Sequence, residues 1–223
     1  MIAENLQRIK NALPSNVLLV AISKFNPESA IEEAYAVGQR DFGESKVQEL
    51  GGKYEHLPKD IRWHFIGHLQ TNKVKYIAPY VYLIHSVDSL KLLKEINKHA
   101  IQNGRTINYL LQIHVAEEET KFGLTENECI EMLESDDWKA LTNVKACGVM
   151  GMATNTDNNN QIRAEFVKIH QLFDTLKERF FKEDDSFKEI SMGMSGDYSI
   201  AIEEGSTMVR IGSSIFGERH YNL

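Results

Sequence analysis

Short apolar runs rich in β-branched residues recur along the chain, and stretches with a helical apolar period separate them. The runs predict strands at Val17–Ser23, Arg40–Gly43, Arg62–Gly67, Val81–Val87, Ile107–Val115, Lys145–Met152, Phe187–Met194 and Thr207–Phe216. Between them the pattern predicts helices at Pro27–Val37, Val74–Ala78, Ser89–Gln102, Glu126–Leu133 and Gln161–Phe181. In the last of these Ile162, Phe166, Ile169, Leu172, Phe173 and Leu176 trace one stripe. Residues Met1 to Arg8 read as an extra amphipathic N-terminal helix. Strands that alternate with helices imply an α/β fold with a parallel sheet. Eight such units in 223 residues average about 28 residues each, the compact end of a single (β/α)8 TIM-type barrel. A doubly wound open sheet is the alternative. No linker divides the chain, so residues 1–223 are expected to form one domain.

Helix-start chemistry supports these boundaries. Asn26-Pro27 places a capping residue before proline, Asp88 follows the fourth strand, and Thr125 with Glu128 makes a capping box. The polar run from Thr154 to Asn160 reads as a solvated loop that caps the long helix.

Composition narrows the function classes. Lys and Arg number 25 against 32 Asp and Glu, a formal net charge of −7, which argues against a general binder of nucleic-acid backbones. No apolar run approaches the ~20 residues of a membrane-spanning helix. Cys129 and Cys147 stand in no paired motif, which fits a reducing, cytoplasmic setting.

In a barrel of this kind, chemistry gathers at the C-terminal ends of the strands. Lys24 ends the first strand, where partial burial would favour a nucleophilic amine able to form a Schiff base. The plain alternative is a lysine that meets solvent as the strand ends. Met192-Gly-Met-Ser-Gly-Asp197 joins the seventh strand to a short helix at Tyr198–Glu204. There Ser195 can cap the helix or hold a phosphate, and Gly196 lets backbone N–H groups approach an anion. Gly212 and Ser213 stand at the mouth of the eighth strand, so the two loops together suggest a phosphate site. Ordinary turn chemistry explains the same residues.

Arg210 lies within the eighth strand, where an unpaired guanidinium would cost several kcal/mol. It needs a ligand, a carbonyl or a carboxylate, and Glu44 is one carboxylate that would serve. His64 and His68 lie on a strand running into a loop, which does not place them together as metal ligands, and no metal is expected. His85 and His114 read as mouth-lining or satisfied core histidines.

Several segments resemble the pyridoxal 5′-phosphate (PLP) homeostasis protein family. They are Ala21-Ile-Ser-Lys24, Asp41-Phe-Gly-Glu44 with Val47-Gln-Glu49, and Trp63-His-Phe-Ile-Gly-His-Leu-Gln-Thr-Asn-Lys73. His85-Ser-Val-Asp88, Lys121-Phe-Gly123, Met192-Gly-Met-Ser195, Gly205-Ser-Thr-Met-Val-Arg-Ile-Gly212 and Ile215-Phe-Gly217 extend the match from Lys24 to Gly217. Three positions depart from the family pattern: Ser45, Ala116-Glu117, and Ser213, which keeps the hydroxyl of the more common threonine.

The resemblance implies a fold-type-III PLP barrel related to the N-terminal domain of alanine racemase. It implies that Lys24 holds PLP as an internal aldimine, that Ser195, Gly212 and Ser213 bind the phosphate, and that Arg210 faces the pyridine nitrogen. An arginine there favours the unprotonated ring and weakens it as an electron sink. Only six residues follow Gly217, too few for the second domain that supplies racemases with an opposing base. The expectation is therefore a non-catalytic, monomeric cytoplasmic protein that maintains vitamin B6 and amino-acid homeostasis, with PLP-dependent apo-enzymes as possible recipients. The alternative is a compact racemase-like enzyme that uses Lys24 as its only base.

Overall fold

In the computed structural model, residues 1–116 and 122–217 are described. Eight parallel strands close a barrel in chain order: β1 (Leu18–Ile22), β2 (Asp41–Glu44), β3 (Arg62–Phe65), β4 (Leu83–Val87), β5 (Ile107–Ile113), β6 (Val144–Gly151), β7 (Glu189–Ser191) and β8 (Met208–Ile211). The helices are α1 (Ile2–Ala12) before the first strand, α2 (Glu28–Ala36), α3 (Val47–His56), α4 (Val74–Ile77), α5 (Leu90–Gln102), α6 (Glu126–Glu134), α7 (Asp136–Lys139), α8 (Asn159–Phe180) and α9 (Tyr198–Glu203) between strands, and α10 (Ser213–Phe216) after the last. First and last strands meet in register, with Val20 opposite Arg210 and Ala21 opposite Ile211. The barrel is closed, so the open-sheet alternative falls away.

Each predicted strand is present; β2 and β6 keep the expected length with a shift of one residue, and the other six are shorter than their apolar runs. The run from Thr207 to Phe216 is the instructive case, because it is not one strand: β8 stops at Ile211 and the chain turns at Gly212 into α10. Ile215 is fully buried there, so its apolarity reflects helix packing rather than strand pairing. Helix α3 has weak sequence signal because Gly51-Gly52 interrupts it, yet it buries Val47, Leu50 and Lys53.

Two of the expected helix starts are corrected. Pro27, without a side-chain cap, precedes α2, and Asn26 Nδ2 instead donates to the Lys24 carbonyl at 3.2 Å. Ser89, not Asp88, caps α5, its hydroxyl accepting from Leu92 N. The Thr125–Glu128 capping box forms on α6, and Asn158 caps α8 by accepting from the amides of Asn160 and Gln161. The α8 stripe is buried at Ile162, Phe166, Ile169, Leu172 and Leu176.

The apolar core has two parts. A large shell lies between strands and helices, with Phe42, Trp63, Phe65, Tyr109, Phe166 and Phe187 among its fully buried side chains. A small cluster of Val20, Ile22, Leu83, Leu110, Met150 and Met208 fills part of the lumen. The rest of the lumen is polar. Among the described residues, no helix is long and apolar enough to cross a membrane.

Candidate functional site

The chain leaves β1 through Ser23, Lys24 and Phe25, and the residues on either side of Lys24 are held firmly. Ser23 Oγ donates to Glu44 Oε1 at 2.6 Å, and the Ser23 carbonyl accepts from Lys53 Nζ at 2.9 Å. Lys53 Nζ also donates to Glu44 Oε1 and Glu49 Oε1, each at 2.7 Å, while Glu49 Oε1 accepts from Phe25 N at 2.6 Å. Phe25 is thereby kept at φ +65°, a left-handed conformation unusual for a bulky residue. Burial pushes the Glu44 carboxyl up to about 7, against the opposing pull of Lys53 and Ser23. Its Oε2 has no hydrogen-bond partner among the described residues. Lys24 itself is half-buried at the barrel rim.

Next to this loop lie the turns after β7 and β8. Ser195 Oγ accepts from Gly212 N at 3.3 Å, so the two turns touch. Gly212 also abuts β1: a Cβ there would lie 3.1 Å from the Ile22 carbonyl oxygen. Gly193 takes φ +98°, and a Cβ would come within 2.6 Å of Ala201 Cβ, so glycine is required as the chain bends toward α9. A Cβ on Gly196 would meet nothing within 4 Å, and Ser213, next to Gly212 in sequence, opens α10. Ser195 is not the cap of the following helix, since Asp197 occupies that position and accepts from Met194 N at 2.6 Å. The Ser195 hydroxyl oxygen accepts across the two turns instead, and its hydrogen can still donate.

Arg210 is buried in the lumen below Gly212. Its Nη1 donates to the Ser191 carbonyl at 2.8 Å and to Ser191 Oγ at 2.7 Å, and Nη2 donates to the Gly151 carbonyl at 3.1 Å. No carboxylate is hydrogen-bonded to it among the described residues. Glu44 is not its partner, because that side chain is tied to Ser23 and Lys53. Burial draws the guanidinium down to about 10, opposed by Asp197, and leaves it charged at neutral pH.

Below Arg210 the lumen holds a set of residues whose connection the sequence does not reveal. His85 Nδ1 lies 2.9 Å from Ser191 Oγ, His85 Nε2 lies 2.8 Å from His64 Nδ1, and His64 Nε2 lies 3.0 Å from Asp41 Oδ1. Arg62 closes the series with Nε and Nη2 donating to the two Asp41 oxygens at 2.8 and 2.5 Å. Period-2 alternation could have flagged each as lumen-facing. It could not have paired residues as remote in sequence as His85 and Ser191.

The other histidines are placed differently. His68 stacks on Phe122 with ring centroids 3.8 Å apart and lies 3.5 Å from Asp88, whose carboxyl burial pushes up. His114 has a buried Nδ1 with no hydrogen-bond partner among the described residues. Among the described residues, no group of three or more His, Cys, Asp or Glu is arranged around a metal position. Ala116 is buried, whereas Glu117, Lys121 and the residues after Gly217 lie outside the described residues.

A family model described as alanine racemase, N-terminal domain, matches residues 1–220. A pyridoxal phosphate homeostasis protein of Aquifex aeolicus is 42% identical over 204 residues, which are 91% of this chain and 87% of that relative. The protein of the same name from Vibrio alginolyticus is 38% identical, over 94% of this chain and 89% of its own length. Among solved structures, PipY of Synechococcus elongatus PCC7942 with PLP bound superposes with a TM-score of 0.89 at 34% identity, covering 97% of this chain and 100% of that one. An alanine racemase of Bartonella henselae, at 13% identity and a TM-score of 0.71, shares the fold over 100% of this chain and 60% of its own.

Proposed function

The chain belongs to the pyridoxal phosphate homeostasis protein family, and from that membership we propose that it binds PLP at the barrel mouth and keeps the cellular supply of that cofactor in balance. The observation that carries the site assignment is the contact of three loops at the mouth. The turn holding Ser195 touches Gly212, and Gly212 lies against β1 just before Lys24.

The residues present fit the cofactor. Ser195, Gly196, Gly212 and Ser213 surround a position with open space over Gly196, where hydroxyls and backbone amides can receive a phosphate. When bound, PLP supplies an aldehyde that condenses reversibly with an amine as a Schiff base, and Lys24 supplies the amine. Arg210, charged and already anchored on two carbonyls, would present a donor to the pyridine nitrogen of bound PLP. A cation at that nitrogen keeps it from gaining a proton, which weakens the ring as an electron sink. Racemases of this fold tolerate such an arginine, so the reading of the protein as a holder of PLP rather than a catalyst is supported chiefly by its relatives, which are named pyridoxal phosphate homeostasis proteins. Residues 1–223 act as one domain and one monomeric unit in the cytoplasm, with PLP-dependent apo-enzymes as recipients.

Incubation with PLP followed by borohydride reduction and peptide mapping tests the assignment. A pyridoxyl adduct on Lys24 is expected. Protein that takes up no PLP, or an adduct on another lysine, would overturn it. Transfer of PLP from the loaded protein to an apo-enzyme, faster than free dissociation allows, tests the proposed role.

A further inference from the structure

From the lumen geometry we infer that Asp41, His64, His85 and Ser191 form a polarised relay that fixes the orientation of Arg210, with Asp41 at the far end of the barrel as its anchor. The inference rests on the PLP reading of the mouth, because the group it serves is the donor presented to the ring nitrogen.

The proton positions are assigned from the partners of each atom. Asp41 is an acceptor only. Burial raises its carboxyl, but hydrogen bonds from Arg62 and His64 outweigh this and hold it below the usual carboxylate range. His64 must therefore carry a proton on Nε2. At the other end, Arg210 has no acceptor atom, so Ser191 Oγ receives its N–H and must send its own hydrogen elsewhere. The ring nitrogen within reach is His85 Nδ1, at 2.9 Å. His85 then holds its proton on Nε2 and donates to His64 Nδ1 at 2.8 Å. Every hydrogen bond now points the same way, from Arg210 through Ser191, His85 and His64 to Asp41.

The reverse arrangement fails at both ends: at the far end it would set two acceptors, His64 Nε2 and Asp41 Oδ1, against each other at 3.0 Å. If His85 donated from Nδ1, Ser191 Oγ would accept from both His85 and Arg210, and its hydroxyl hydrogen would have no acceptor in this contact. The cost of such an orphan in a buried site is what locks the direction. Burial, with His64 and Arg210 adding to it, holds His85 well below its ordinary value, consistent with a neutral ring. Asp41 sits at the opposite end of the barrel beside Arg62, Lys10 and Arg40, around a cavity of about 290 Å³. Asp41 touches nothing at the mouth. It is a positioning residue.

The test uses PLP labelled with ¹⁵N in the ring, bound to the full-length protein and to Asp41→Asn, Ser191→Ala and the double variant. An amide at position 41 removes the charge that anchors the far end of the chain, whereas alanine at 191 removes the hydroxyl. Both single variants are expected to move the ring nitrogen signal in the same direction, toward its protonated value. The double variant should move it no further than the larger single shift, because both changes cut one relay. Loaded variants with an unmoved signal, or shifts that add, overturn the relay while leaving PLP binding intact. Folded variants that no longer take up PLP also overturn it, since the phosphate residues and Lys24 are untouched. Should Asp41→Asn fail to fold, Ser191→Ala alone must still shift the signal. Wild-type protein that takes up no PLP instead overturns the functional reading itself.

Discussion

Replacing Lys53 with methionine tests what holds the Lys24 loop in place. The substitution keeps the stem and removes an ammonium that bonds the Ser23 carbonyl, Glu44 and Glu49. Lys53 and Glu44 side chains are 6% and 0% exposed, so the loss is not softened by solvent. Removing one partner of a buried pair costs about 3–5 kcal/mol, because the other charge stays behind. Glu44 has an escape, which is to take up a proton. Its carboxyl already sits at about 7 in the folded protein, and loss of Lys53 moves it higher. The folded state therefore binds more protons than the unfolded chain, and the penalty grows as pH rises above the ordinary carboxylate range. At about pH 8 the full cost is expected, a loss of roughly 2–4 °C in Tm for each kcal/mol in a chain of this size. At about pH 4, below the ordinary carboxylate value, Glu44 is largely neutral in both states and the cost falls to the missing hydrogen bonds, about 1–3 kcal/mol. Urea unfolding followed by circular dichroism at both pH values measures the difference. Glu44→Gln combined with Lys53→Met should recover most of the loss at high pH. A loss independent of pH, or one that Glu44→Gln does not relieve, refutes the charge-based account.

Other outcomes follow from the same geometry. Lys24→Ala should abolish borohydride-fixable PLP yet leave some reversible binding through the phosphate residues, measured by equilibrium dialysis. Ser195→Ala should weaken PLP binding by about 1.5–3 kcal/mol, the range for a hydrogen bond to a charged group, read as a higher Kd in a fluorescence titration. Thr125→Ala removes the α6 capping box and should cost about 1 kcal/mol in urea unfolding without altering PLP uptake. Gly148→Ala, at φ +148°, would place a Cβ 1.8 Å from the Glu189 carbonyl oxygen, so the protein should express poorly or melt far earlier.

The barrel was legible because its strands are short apolar runs and its long helix carries a clear stripe. The mouth residues were legible because Lys24, Ser195 and Gly212 stand where such runs end, and the family resemblance supplied their chemistry. Boundaries were less so: Ile215 stays apolar after β8 has ended because α10 buries it. Lys53 was hidden because Gly51-Gly52 weakens the helical signal of α3, and nothing local says that a lysine on that helix reaches the Ser23 carbonyl. The Arg210 environment was narrowed to carbonyl, ligand or carboxylate, and the carbonyls prevailed. A one-dimensional pattern assigns a residue to a face, but the partner across a closed lumen depends on which strands the closure brings opposite.

The division of the apolar core has an evolutionary consequence. Most of the buried hydrocarbon lies in the outer shell, so that shell sets heat capacity and cooperativity, while much of the lumen is occupied by Asp41, His64, His85, Ser191 and Arg210. Exchanging buried polar sets for apolar side chains of similar volume is often stabilising by about 1–4 kcal/mol. Selection of this chain for heat resistance alone should therefore drift toward an oily lumen, and selection for ligand retention should drift back. The barrel's interior is where durability and usefulness compete.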